Sequence, residues 1–333
     1  MHRRIPLAAT VALAAVLSTT ACANTGAAKS GADEYPGSKP VTIVVGFDAG
    51  GGTDVGARLM AQALEEELKG TVEVVNKPGA VGQIGMTEVA NSTPDGYTFG
   101  TLNLPTMALS ELYENRGATY TRDDFTPLAL QVEDPTMLVV LSSSPYKTLD
   151  DLLAGAKEKP NTLRVATSGV GSDEHFAMLE LENVSGADFA PVHFADGAAA
   201  ATTAFLGGNN VEVLMANVSE IASLVEDGSA RPLGLMSEER SPLLPDVPTF
   251  KEEGHDIVMA SSRGYVFPAG TPQDIVDKVS AAMGRILEKE DFLKKMKDLQ
   301  LTPKYMDSRE LGTYWDETKT TYEALIPQVE ADK

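Results

Sequence analysis

Two short stretches hold residues whose types and spacing suit the capture of an anion. In Phe47-Asp48-Ala49-Gly50-Gly51-Gly52-Thr53-Asp54, the β-branched run Val41 to Val45 leads through three glycines into a helical pattern. Glycine lets the backbone approach a ligand closely, and the free N–H groups of the first helical turn point into the same space. Three consecutive glycines also cost backbone entropy that a simple tight turn would not require. The second stretch, Ser168-Gly169-Val170-Gly171-Ser172-Asp173-Glu174-His175, again passes from a strand end into a helix. It offers two hydroxyls, backbone amides and one imidazole.

Neither stretch meets the requirements of better-known chemistries. Gly51 and Gly56 have P-loop separation, but Ala57-Arg58 stands where Lys-Ser/Thr is needed, and no third glycine completes a dinucleotide fingerprint. A serine-hydrolase elbow needs Gly-x-Ser-x-Gly, and Thr167-Ser168-Gly169 lacks the preceding glycine. A hydrolase using Ser168 or Ser172 with His175 as base stays open as an alternative; His175 could equally orient the loop. His175, His193 and His255 have no ligand-like spacing, and carboxylates at helix starts are expected from the macrodipole alone. We therefore expect no metal and no cofactor. Glu65 to Glu67 and Glu238-Glu239 read as solvated faces.

The elements that must position these loops alternate along the chain. Helical spacing of Val55, Leu59, Ala63, Leu64 and Leu68 follows the first glycine loop, and Gly70 stops it. Strands are predicted at 72–75, 98–102, 137–141, 163–167, 211–215 and 231–236. Thr148-Leu149-Asp150-Asp151 resembles a capping box, Asp173 to Val184 reads as a helix closed by Gly186, and an Ala-rich helix follows Gly197. Thr271-Pro272-Gln273-Asp274 opens another helix with proline at its first position, and a last amphipathic helix starts near Ser308. Alternation of this kind means mainly parallel sheets flanked by helices. Two anion-friendly loops from separate α/β units suggest a cleft closed from both sides, the geometry of a two-domain binding protein without catalysis.

The 333 residues, 43% of them hydrophobic, suffice for two domains of ordinary size. Arg3 and Arg4, an apolar run from Ile5 to Leu17 and the small residues Ser18 to Ala21 form an export signal too short to span a bilayer as a mature helix. Cys22 is the only cysteine, so no intramolecular disulfide can form. Its place after the small residues fits a lipobox, although Thr19 stands where an aliphatic residue is usual; an ordinary secretory signal is the alternative. Residues 22–35 suit a flexible tether. The formal charge of -21 becomes two units more negative once Arg3 and Arg4 leave with the signal. That sign excludes nucleic acid as a partner and requires an anionic ligand to be held by local donors.

The ordered series of short motifs resembles the Bug-type receptors of tripartite tricarboxylate transporters. It comprises Gly46-Phe47 with Ala49 to Asp54, Asn76 to Ala80 with Gly82 and Gly85, Pro94 to Thr98, Lys147 to Leu149 and Ser168 to Ser172 with His175. Leu206 to Gly208, Arg240 with Leu244 to Thr249, and Pro268 to Pro272 complete it. The resemblance covers about Tyr35 to Ile326. It implies an α/β, two-lobed, Venus-flytrap fold, with lobe 1 from 36–134 plus 252–333 and lobe 2 from 135–251.

The resemblance also implies a monomeric extracytoplasmic receptor that hands a small carboxylate, a di- or tricarboxylate or an aromatic acid, to membrane permease subunits. A ligand-loaded sensor for a membrane kinase is the alternative partner arrangement. Phe47, Ala49, Gly50, Gly51, Gly52, Thr53 and Asp54 would grip a ligand carboxylate together with Ser168, Gly169, Gly171, Ser172 and His175, and Asn103 is taken as a further contact. Three positions depart from the family pattern: Asp196 replaces a usual lysine, Asn217 a common aspartate, and Arg263 an aromatic residue before Gly264. Arg263 could hold a distal carboxylate in a bidentate pair or form a surface salt bridge.

Overall fold

The computed structural model describes residues 35–112, 118–194, 197–208 and 211–331. Cys22 and Asp196, named above, lie outside them. The first run contains β1 (Val41–Val45), α1 (Gly52–Leu68), β2 (Val72–Asn76), α2 (Gln83–Ala90), β3 (Thr98–Leu104) and α3 (Thr106–Leu112). The middle run is β4 (Phe125–Leu141), α4 (Leu149–Glu158), β5 (Arg164–Thr167), α5 (Asp173–Ser185), β6 (Ala190–His193), α6 (Ala198–Leu206), β7 (Val213–Asn217), α7 (Val218–Glu226) and β8 (Ala230–Leu235). The chain returns through β9 (Ala260–Pro268), α8 (Gln273–Leu287), α9 (Glu290–Asp298) and β10 (Pro303–Met306), and α10 (Ser308–Ala331) follows.

The strands follow the order β2-β1-β3-β9-β4-β7-β5-β6, with β8 and β10 also paired to β4. β4 belongs to two sheets at once. Its first part, to Pro135, pairs antiparallel with β9, whereas Thr136 to Val140 pair with β7 and Met137 to Leu141 with β8. β1 lies parallel to β2 and β3 in the first sheet, and β5 lies parallel to β6 and β7 in the second. Each sheet is thus parallel where the two glycine-rich loops emerge, but β4 and β9 run antiparallel to their neighbours. The expectation of mainly parallel sheets does not extend to β4, which continues from one sheet into the other, or to β9, because neither strand takes part in an αβ alternation.

Each sheet has its own core. α1 and α8 pack through Ala57, Met60, Leu64, Val279, Met283 and Ile286 on the first, and Glu67 clamps the pair by accepting from Arg285 and Lys289 at 2.7 and 3.0 Å. Phe176, Leu179, Leu152 and Leu138 fill one face of the second. α4 begins at the anticipated capping box, with Thr148 accepting from the Asp151 N–H. α10 joins the two cores: Leu311 and Trp315 bury against the first sheet, and Tyr322, Leu325 and Val329 against the second. The apolar face of this one 24-residue helix is thus divided between both sheets.

Candidate functional site

The glycine loop after β1 is built by Asp54. This carboxylate is 2% exposed and accepts from the Gly50 N–H at 2.8 Å, Arg58 Nε at 3.0 Å and Asn76 Nδ2 at 2.8 Å. Asn76 also donates to the Phe47 carbonyl at 3.0 Å. Burial opposes ionisation of Asp54, but the bonds from Arg58, Gly50 and Asn76 outweigh it and hold the carboxyl below its ordinary range. Asp54, expected among the ligand contacts, is occupied in shaping the loop. Gly50 has φ +88°, which a side chain would strain. A Cβ on Gly46 would come within 2.7 Å of the Gly82 carbonyl oxygen, and one on Gly85 within 2.7 Å of Gly46 Cα. The Asn76–Gly85 motif therefore buttresses the loop from behind.

β3 and β9 deliver two side chains to the same place. Asn103 and Arg263 are register partners. Asn103 Nδ2 donates to Thr53 Oγ1 at 3.0 Å, while its Oδ1 is buried without a partner. The Arg263 guanidinium reaches toward Gly52, Nη1 lying 3.4 Å from where a Cβ would stand. It is 3.7 Å from Asp134, with side chains 20% and 1% exposed. Arg263 thus makes an ion pair, with Asp134, that lies largely away from solvent.

The second loop, after β5, takes its shape from α5. Gly169 has φ +138°. Ser172 caps the helix by accepting from the His175 N–H at 3.2 Å, and His175 Nδ1 accepts from the Gly171 N–H at 3.0 Å. His175 is 0% exposed, so it supports the loop from within. Ser168 Oγ donates to Glu174 Oε2 at 2.5 Å. The hydrolase alternative fails on this geometry, since the Ser168 proton is directed to a carboxylate and the imidazole to the backbone.

Carboxylates make up much of what surrounds this loop. Asn217 Nδ2 donates to Asp173 at 2.9 Å, and the Asn217 N–H donates to Glu220 at 3.1 Å. Asp134, 0% exposed, accepts from the backbone N–H of Ser219 at 3.0 Å and from its hydroxyl. Burial, then the Asp173 charge, pushes the Glu174 carboxyl up to about 8 against the hydroxyls of Ser168 and Ser172. Burial pushes Glu220 up to about 7, with Asp173 and Asp134 adding to the rise and the Asn217 N–H and Arg263 opposing it. Asp134 is likewise raised by burial, against Arg263 and Ser219. Contacts thus run from Gly52 through Arg263, Asp134, the Asn217–Ser219 turn and Asp173 to the second loop.

Asp134, Glu174, Ser219 and Glu220 were not anticipated from sequence. Glu174 sits inside the quoted motif, but acids in a first helical turn were assigned to the macrodipole and solvent. The missed signal is Ser168-x₅-Glu174, which returns the acid onto its own loop. Among the described residues no three His, Cys, Asp or Glu could hold a metal ion, and no helix is long and apolar enough to cross a membrane.

Two lobes joined by the shared strand β4, with glycine-rich loops at the carboxyl ends of β1 and β5, define a solute-binding protein of the periplasmic-binding class. The chain belongs to the tripartite tricarboxylate transporter family of receptors (TctC), whose model matches residues 56–330. It is 31% identical over 321 residues to the UPF0065 protein in the gbd 5′ region of Cupriavidus necator, covering 96% of each chain. A TctC solute-binding protein from Polaromonas, solved with no ligand, aligns at TM-score 0.81 and 32% identity, covering 88% of this chain and 99% of that one. An R. palustris protein with adipate aligns at TM-score 0.68 and 27% identity, covering 89% and 98%. The family consists of receptors, so the protein is not an enzyme.

Proposed function

We propose that the protein is an extracytoplasmic receptor that captures a small organic carboxylate between its two lobes and delivers it to the permease of a tripartite tricarboxylate-type transporter. The observation that carries this reading is the site around Gly50 to Thr53. Backbone amides from α1, Thr53 and Asn103 converge there with the partly buried Arg263 guanidinium, which supplies local positive charge in a strongly acidic chain. A carboxylate accepts from both kinds of donor. Adipate in the R. palustris relative supports the same ligand class. The lobes are 36–134 with 252–333, and 135–251, closing about the β4 crossing. Acylation of Cys22 would tether the receptor to the outer face of the cell membrane, and the protein would act as a monomer.

The test is a thermal-shift screen over small mono-, di- and tricarboxylates. An acid at 100 times its dissociation constant stabilises the folded state by about 2.7 kcal/mol. Shifts with neutral sugars or simple amines and none with any acid would refute the reading.

A further inference from the structure

We infer that a second binding site lies behind the β4 crossing, apart from the two glycine-rich loops, and takes a small organic ammonium ion against Glu133.

Successive residues of a strand face opposite ways, and β4 uses this where it passes between the sheets. Asp134 meets Ser219 and Arg263 on the side of the glycine loops. Glu133 lines a cavity of about 270 Å³ on the other side. The crossing contributes Met259 and Ala260 to that cavity, and β10 contributes Lys304 and Met306. Glu238, which follows β8, brings in the second sheet's side of the chain. α10 completes the lining with Tyr314, Thr318 and Tyr322, which share one helical face.

Two buried polar groups of this cavity are unsatisfied. Glu133 is 8% exposed, and among the described residues no hydrogen bond or ion pair reaches its carboxylate. Tyr322 is 3% exposed, and its hydroxyl has no partner. Each is a lone-pair acceptor whose burial costs free energy that a bound N–H would recover. The neighbouring polar groups are already engaged. The Tyr314 hydroxyl pairs with Ser262 at 2.8 Å, the Thr318 hydroxyl donates to the Tyr314 carbonyl at 2.7 Å, and Glu238 accepts from Lys251 at 2.5 Å.

Charge decides which kind of donor fits. Burial pushes the Glu133 carboxyl up; Lys304 opposes this from a distance, and Glu238 and Glu239 add to it. A cation in contact with the carboxylate removes that penalty. An anion, the class proposed for the cleft, would instead meet Glu133, Glu238 and Glu317. A metal ion is not favoured, because among the described residues no three His, Cys, Asp or Glu are placed to hold one. Met259, Met306 and the two tyrosine rings offer apolar and aromatic surface to the carbon substituents of an organic cation.

The test is isothermal titration of the purified protein with benzylammonium, cyclohexylammonium and butylammonium chlorides. We expect at least one to bind with one-to-one stoichiometry, equally well to the native protein and to Arg263→Ala. Glu133→Gln, which keeps the shape and removes the charge, should weaken it at least tenfold. Tyr322→Phe should weaken it several-fold. Lys304→Met removes a competing cation and should tighten binding, a gain that a misfolded variant could not produce. Benzyl alcohol, neutral and similar in shape to benzylammonium, should bind at least tenfold more weakly. No binding by any of the three ammonium ions, equal binding of benzyl alcohol, or an affinity unchanged in Glu133→Gln would overturn the inference. Loss of binding in Arg263→Ala would place the cation in the cleft and overturn it as well. Carboxylate capture stands or falls separately, on the thermal-shift screen.

Discussion

Glu174→Gln isolates the most perturbed acid of the site. The side chain is 2% exposed and bonded to Ser168, and its carboxyl is raised from 4.5 to about 8. A raised folded-state value means that the native protein holds this proton more tightly than the unfolded chain. The resulting stability is complete below pH 4.5 and is lost as pH rises toward about 8. At about 1.4 kcal/mol for each pH unit of displacement, the loss is at most ~5 kcal/mol. Asp134 and Glu220, which are also raised, act in the same direction. Asp54 and Glu67, which are lowered, act only in more acidic solution. Urea denaturation of the ligand-free protein from pH 5 to pH 8.5 should therefore show falling stability. Glutamine keeps the shape and a hydrogen bond to Ser168 but cannot ionise, so the variant should lose much of that slope and gain stability at pH 8.5. A native curve that is flat or rising over this range, or an undiminished slope in Glu174→Gln, would refute the burial argument.

Gly46→Ala and Gly50→Ala should differ in kind. The first forces a Cβ to 2.7 Å from the Gly82 carbonyl oxygen and should cost about 1–3 kcal/mol by overpacking. The second meets nothing within 4 Å but must adopt φ +88°, costing about 1–2 kcal/mol of backbone strain. Denaturation midpoints check both. Asp54→Asn removes an acceptor shared by Gly50, Arg58 and Asn76; it should destabilise by about 1–3 kcal/mol and weaken binding of any acid by calorimetry. Arg263→Ala should lower adipate affinity at least tenfold, and an undiminished affinity would show that the guanidinium serves Asp134 rather than the ligand.

Most of the local structure was readable from residue types. The β-branched run before Gly46, the Thr148 cap and the Gly186 stop each act within a few neighbours. β9 was missed because Ala260-Ser261-Ser262-Arg263-Gly264 carries neither an apolar alternation nor a β-branched run, and its strand is imposed by β3 and β4 on either side. β4 was read only from Met137 onward because Gln131, Glu133, Asp134 and Pro135 interrupt the apolar pattern. Those polar residues occupy the passage between the sheets, and Asp134 there meets Ser219 and Arg263. The two glycine loops were visible as motifs, since their shape rests on backbone that glycine permits at Gly50 and Gly169. The acidic side of the site was not, because Asp134, Asp173, Glu174 and Glu220 come from three separate elements brought together only by folding.

The division of α10 between the sheets gives the two ends of the described chain different attachments. Tyr35 is fixed to the first lobe, donating to the Gly96 carbonyl at 2.7 Å and accepting from Lys278 at 2.7 Å. Val329 is buried in the core of the second. A pair of fluorophores joined to these ends would sit on opposite jaws, so their energy transfer would follow closure directly and give an optical sensor for the ligand.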